Sequence, residues 1–202
     1  MESDQETPDE WLSAEQLREW VSLMALVTML PARLDAQLNR DAGLSLFEYH
    51  VMVVLSGAPE RTRVMSELAL QTRGSLSRLS HAVSRLESAG WVQRHSCGGA
   101  GRRTEAQLTD AGEAKLKQCA PGHVREARRL VVEVLTDDEL ARLGHAARRI
   151  VAAIDPAVAA TLGEAGESAV GSPEAQLCSG PTCTRVDRGG PAREPDGQRG
   201  CS

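Results

Sequence analysis

The sequence predicts a mainly helical chain with one small β-hairpin, an α+β arrangement. Three observations carry this. Most apolar residues recur at helical spacing, several Ser/Thr-x-x-Glu/Gln boxes stand where helices should open, and only two short segments alternate polar and apolar residues. Hydrophobic residues make up 41% of the chain and aromatics only 2%, so the core must be built from Leu, Val, Ala and Met. That composition suits helices better than a sandwich of strands, which favours β-branched and aromatic residues.

Ser13-Ala-Glu-Gln16 reads as a capping box that opens a long helix. Its apolar positions are Leu17, Val21, Met24, Val27, Leu34 and Leu38, with a bend expected at Pro31 and a stop at Gly43. Ser45-Leu-Phe-Glu48 opens a second helix to about Ser56, ended by Gly57-Ala-Pro59. A short helix over about Val64–Gln71 follows, then a Thr72-Arg73-Gly74 turn, then a helix capped by Ser75 and running to about Ala89, with Gly90 beyond it. Two helices joined by a short glycine-containing turn make a helix-turn-helix candidate. Trp91–Ser96 and Arg103–Leu108 alternate as half-buried strands do, around a flexible Cys97-Gly-Gly-Ala-Gly-Arg102 tip. Thr109 caps a long helix to about Leu135, expected to be interrupted at Pro121-Gly122. Thr136-Asp-Asp-Glu139 opens the last helix, with Leu140, Leu143, Ala147, Ile150 and Ile154 along one stripe.

The expected organisation is a flexible N-terminus over 1–12, a folded domain over 13–162 and a disordered tail over 163–202. The last 40 residues hold eight glycines and four prolines without periodicity, and cannot bury enough apolar surface to offset ordering entropy. No apolar run is expected to approach the roughly 20 residues of a membrane span. The opening Met-Glu-Ser-Asp-Gln-Glu is acidic and polar, unlike a secretory signal. The expected location is the cytoplasm, without a membrane partner. Five cysteines, three of them in the tail, read as free thiols there.

The net charge of −5 argues against a nucleic-acid binder, but its distribution argues for one. Between Arg61 and Arg103 stand eight arginines against two glutamates, the footprint a phosphate backbone requires. The helix over 75–89 should turn Leu76, Leu79, Val83 and Leu86 inward. Its other face presents Ser77, Arg78, His81, Ser84, Arg85 and Ser88. Small serines let a helix sit deep in a major groove, where arginine and histidine reach base edges or phosphates. Such a face on its own is more often merely solvated; the flanking turn and hairpin reverse that balance. Arg102 and Arg103 follow the glycine-rich tip, where a side chain can enter a minor groove.

The stretch SLSRLSHAVSRLESAGWVQR (75–94), followed by GAGRRTEAQLTDAG (99–112), resembles the signature of the MarR family, and the likeness spans about Leu12 to Pro156. The resemblance implies a winged helix-turn-helix with an α-helical dimerisation region. Residues 13–43 and 109–162 would dimerise, and 44–108 would form a DNA-binding lobe. It implies a transcriptional regulator, most simply a repressor, that binds a pseudo-palindromic operator as a homodimer and is released by a small ligand. Double-stranded DNA, a second copy of the chain and a small-molecule effector are the implied partners. The candidate DNA-binding residues are Arg73, Ser75, Ser77, Arg78, His81, Arg85, Arg94, Arg102 and Arg103. Trp20, Phe47, Tyr49 and His50 are candidates for a ligand crevice, although filling the junction explains them slightly better. The family's wing usually carries an acid just before its arginine, where this chain has Ala100-Gly101.

Other chemistry finds little support. None of the five histidines forms an HxxxH or HExxH pair, and Cys178-x4-Cys183 is half of a zinc pattern with no second half. No nucleophile–base arrangement or phosphate loop is recognisable, so neither an enzyme nor a cofactor is expected. Cys97 and Cys119 are candidate redox thiols, but no cysteine lies near the start of the first long helix, where some relatives sense oxidants. The rival reading is a winged-helix protein-interaction module that never reads DNA.

Overall fold

The structure is a computed structural model, and it describes residues 11–97 and 103–159. Six principal helices and three short strands follow one another: α1 (Ala14–Ala42), α2 (Leu46–Ser56), β1 (Thr62–Val64), α3 (Met65–Gln71), α4 (Leu76–Ser88), β2 (Val92–Cys97), β3 (Arg103–Leu108), α5 (Asp110–Ala127) and α6 (Asp137–Ile154). All three sequence-level capping boxes form: Ser13 with Gln16, Ser45 with Glu48, and Thr136 with Glu139. Ser75 and Thr109 accept from Arg78 N and Gly112 N and so cap α4 and α5. α1 passes through Pro31 as one continuous helix and closes at Gly43 in the left-handed conformation.

The sheet has order β1-β3-β2, antiparallel throughout. β2 and β3 pair from Val92↔Leu108 out to Cys97↔Arg103, in the register of a hairpin. The sequence pattern predicts no strand at β1 and starts a helix at Val64, which instead ends the strand. Three residues are too few to show alternation, and β1 exists because Thr62, Arg63 and Val64 pair with Gln107, Ala106 and Glu105 of a strand some forty residues on.

Leu44, Val51, Met52, Leu55, Leu68, Leu79, Val83, Leu86, Val92 and Leu108 form one buried core under α2, α3, α4 and the sheet. Leu76, expected inside, is 58% exposed, because the first turn of α4 lies beyond this core; Ala82 is buried instead. α5 also departs from expectation. It runs through Pro121-Gly122 without a break, and the irregularity falls later, in a π-helical turn at Arg128–Val132. A proline inside a helix costs about 3 kcal/mol or more. Packing against α1 holds the helix here: Gly122 lies close to the Gln37 side chain, which also meets His123.

Outside the core the picture inverts. α6 buries no residue within the chain, and Leu143, Ile150 and Ile154 are exposed. Leu17, Trp20, Val21, Met24 and Val27 on the N-terminal half of α1 are exposed as well. α1 is long and apolar enough to cross a membrane by length and composition alone, although its uncharged stretch spans only 20–32. Its C-terminal half carries Gln37, Asn39, Arg40 and Asp41 and packs on α2 and α5.

Candidate nucleic-acid interface

The turn between α3 and α4 places the start of α4 at the surface. Thr72 is buried and closes α3 by donating its hydroxyl to Leu68 O at 2.7 Å. Arg73 takes a positive φ of 53°, and the amides of Arg73 and Gly74 return to Leu70 O and Ala69 O. Gly74 packs against the Phe47 ring so closely that a Cβ would come within 2.5 Å of it. From there α4 sends Leu79, Ala82, Val83 and Leu86 into the core and leaves Ser77, Arg78, His81, Ser84, Arg85 and Ser88 exposed.

The arginines fall into two groups. Arg61 pairs with Asp110 and Glu113, Arg63 reaches Glu67 at 4.0 Å, Arg85 pairs with Glu48, and Arg94 lies 3.7 Å from Glu87. Among the described residues, Arg73 and Arg78 make no ion pair. Arg78 stands over the Phe47 ring, 4.2 Å from its centroid, a cation–π contact that orients its stem. Arg94, a candidate DNA-binding residue from the sequence, turns back onto α4: one terminal nitrogen donates to Ser80 O and Ser84 Oγ, each at 2.7 Å. It ties β2 to α4 and holds the hairpin against that helix. Arg103 opens β3 opposite Cys97, and Arg102 lies outside the described residues.

Glu48 is the member of this face that motif reading assigned to capping alone. It is 6% exposed, closes the α2 capping box and accepts the Arg85 Nε–H at 2.5 Å. Burial pushes its carboxyl up, but the bonds from Arg85 and Ser45 outweigh burial and hold it below the usual glutamate value. The spacing Ser45-x-x-Glu48 could have flagged the cap; nothing in it signals a partner thirty-seven residues away.

No family model matches the chain, and no curated protein matches it. Solved structures do. Sco3205 of Streptomyces coelicolor, a MarR family transcriptional regulator crystallised in complex with DNA, is 40% identical; the match covers 75% of this chain and 94% of that one, with a TM-score of 0.70. The chain belongs to the MarR family. AbsC, a MarR family transcriptional regulator from the same organism, is 31% identical over 72% of this chain and 98% of its own, with a TM-score of 0.67. A MarR family regulator from Silicibacter pomeroyi is 26% identical over 76% and 100% of the two chains, with a TM-score of 0.57.

In this MarR-family chain the four candidate ligand residues do not share one crevice. Phe47 and His50 line a hollow of about 500 Å³ between α1, α2 and α4, with Pro31, Ala32, Asp35, Arg78 and Arg85. Tyr49 is not part of its lining and meets His123 of α5 in a tilted ring contact, centroids 4.6 Å apart. Trp20 lines a separate hollow on α1 with Leu12, Glu19 and Leu23. Burial, aided by the charge of Arg73, pulls His50 below the usual histidine value. Burial raises the Cys119 thiol, which keeps it protonated and weakens the redox reading.

Proposed function

We propose that the chain is a sequence-specific DNA-binding regulator that acts in the cytoplasm as a homodimer and represses transcription from a pseudo-palindromic operator. The observation that carries this is α4. Its apolar side is locked in the core, and its outward side presents Ser77, Arg78 and His81 beside the unpaired Arg73. A helix presented this way, preceded by a tight turn and followed by a hairpin, suits entry into a major groove. Sco3205, solved with DNA, supports the same reading. The homodimer rests on α6 and the N-terminal half of α1, amphipathic surfaces that bury nothing in their own chain and suit a second copy. The hollow beside Phe47, His50, Arg78 and Arg85 is the candidate ligand site, because a guest there would meet two arginines of α4. Its occupant would favour a dimer whose two α4 helices no longer match the half-site spacing.

The protein-interaction reading draws on one observation: among the described residues, four of the six arginines over 61–94 are held in ion pairs within the chain. Selection of bound fragments from genomic DNA by the purified protein decides between the two. A shared inverted repeat, bound in a salt-dependent manner, is the expected result. Failure to retain any duplex at low salt would leave the interaction module as the better reading.

A further inference from the structure

The first turn of α2 touches both arginines of α4 that border the hollow. Phe47 lies beneath Arg78, and Glu48 bonds Arg85. Glu48 is a charged group inside the lobe, and capping does not explain the charge. A glutamine also closes a capping box, as Gln16 does at the start of α1. Burying a carboxylate is costly unless a partner compensates, and here the partner is Arg85. The Arg85 side chain is nevertheless 64% exposed, and its two terminal nitrogens bond no described residue. A guanidinium is a rigid planar fork, so fixing Nε on Glu48 also fixes the directions of the remaining N–H groups.

We propose that Glu48 is a positioning residue for specific recognition: it orients Arg85 to offer paired donors to one DNA phosphate, and it cancels the charge of Arg85 so that geometry, not attraction, decides the contact. This rests on the DNA-reading function proposed above. A duplex held loosely meets a nearly neutral pair and gains little. A duplex seated on α4 presents a phosphate to the fixed fork and gains two charge-assisted hydrogen bonds. The two kinds of binding therefore respond to Glu48 with opposite signs.

The test uses the full chain with Glu48→Gln, which keeps the volume and the capping acceptor but removes the charge. Wild type and variant are titrated at several salt concentrations against the strongest fragment selected from genomic DNA and against a random-sequence duplex of equal length. Affinity for the random duplex should rise about threefold, with the slope of log K against log salt steeper by about one. Affinity for the selected fragment should fall about fivefold. A fall in both arms together, or no change in either, overturns the proposal. Arg85→Lys gives a second reading that leaves the Glu48 side chain and its bonds to Ser45 in place. It keeps the charge and loses the fork, so random-duplex binding should hold while selected-fragment binding falls about fivefold. Selected-fragment binding unchanged in Arg85→Lys overturns the proposal as well. If wild type itself prefers no fragment over random duplex, the DNA-reading function fails first and takes this role of Glu48 with it.

Discussion

Arg73 occupies a backbone conformation that glycine usually fills, with φ of 53° at the end of α3. A left-handed residue with a Cβ costs about 1 kcal/mol or more, and such strain persists where a side chain is needed for something else. Arg73→Gly therefore separates folding from function. The variant should be as stable as wild type or more stable by up to about 1 kcal/mol in urea unfolding. It should bind every DNA sequence more weakly, with a salt slope shallower by about one. A loss of stability would show that Arg73 serves the fold. Ser77, Arg78 and His81, on the N-terminal half of α4, should behave differently. Arg78→Ala or His81→Ala should relax preference at defined operator positions by roughly five- to a hundredfold, read against single-base variants. A uniform loss across those variants would remove α4 from the reading role. The exposure of these residues was legible in the sequence because it follows from the apolar face of an amphipathic helix. The tie of Arg94 to Ser80 and Ser84, and of Arg85 to Glu48, was not, because it depends on how separate elements meet.

At the scale of elements, caps and stops carried most of the information. Ser13, Ser45, Ser75, Thr109 and Thr136 each begin the helix their sequence context announces. What failed to show was structure imposed from a distance: β1, held by β3, and the unbroken α5, held by α1. The start of α5 is another such place. Gly112 packs so close to Trp91 that an added Cβ would lie 2.1 Å from the Trp91 carbonyl oxygen. Backbone cannot swing aside as a side chain can. Gly112→Ala should cost about 1–3 kcal/mol, seen as a melting temperature lower by several degrees, with the hairpin loosened from α5. An unchanged melting temperature would mean that this seam yields freely. The junction of α1, α2 and α5 also carries a pH dependence. Burial holds His123 below its usual value of 6.5, with Gln37 on its Nδ1 side and Tyr49 tilted against its ring. A histidine kept neutral by folding contributes stability fully above about 6.5, and the contribution is lost as the pH falls towards the folded value. The urea midpoint should therefore drop between neutral pH and about pH 5, and His123→Gln should flatten that drop. An identical pH profile in the variant would place the titration elsewhere.

Across the whole molecule the contrast is between a lobe with a closed core and flanking helices whose apolar sides face outward. Leu143→Glu with Ile150→Glu places two charges on the outward stripe of α6. The double variant should be monomeric in light scattering while β2, β3 and α4 keep their protection against hydrogen exchange. Binding to a two-half-site operator should fall by at least a hundredfold, because a single lobe reaches only one half-site. A variant that still dimerises would move the interface away from α6.

The pairing of α1 with α5 also sets the order in which the chain can mature. Gln37 and His123 meet across 86 positions, so α1 leaves the ribosome well before the helix it packs on exists. At about 5–20 residues per second that gap lasts roughly 4–17 s. During it the buried side of α1 at Gln37 and Leu38 has no α5 to pack on, whereas α2, α3 and α4 can already gather around Met52 and Leu79. The C-terminal half of the first helix should thus be the last part of the early chain to gain its partners, after the core around Met52 and Leu79 has begun to form.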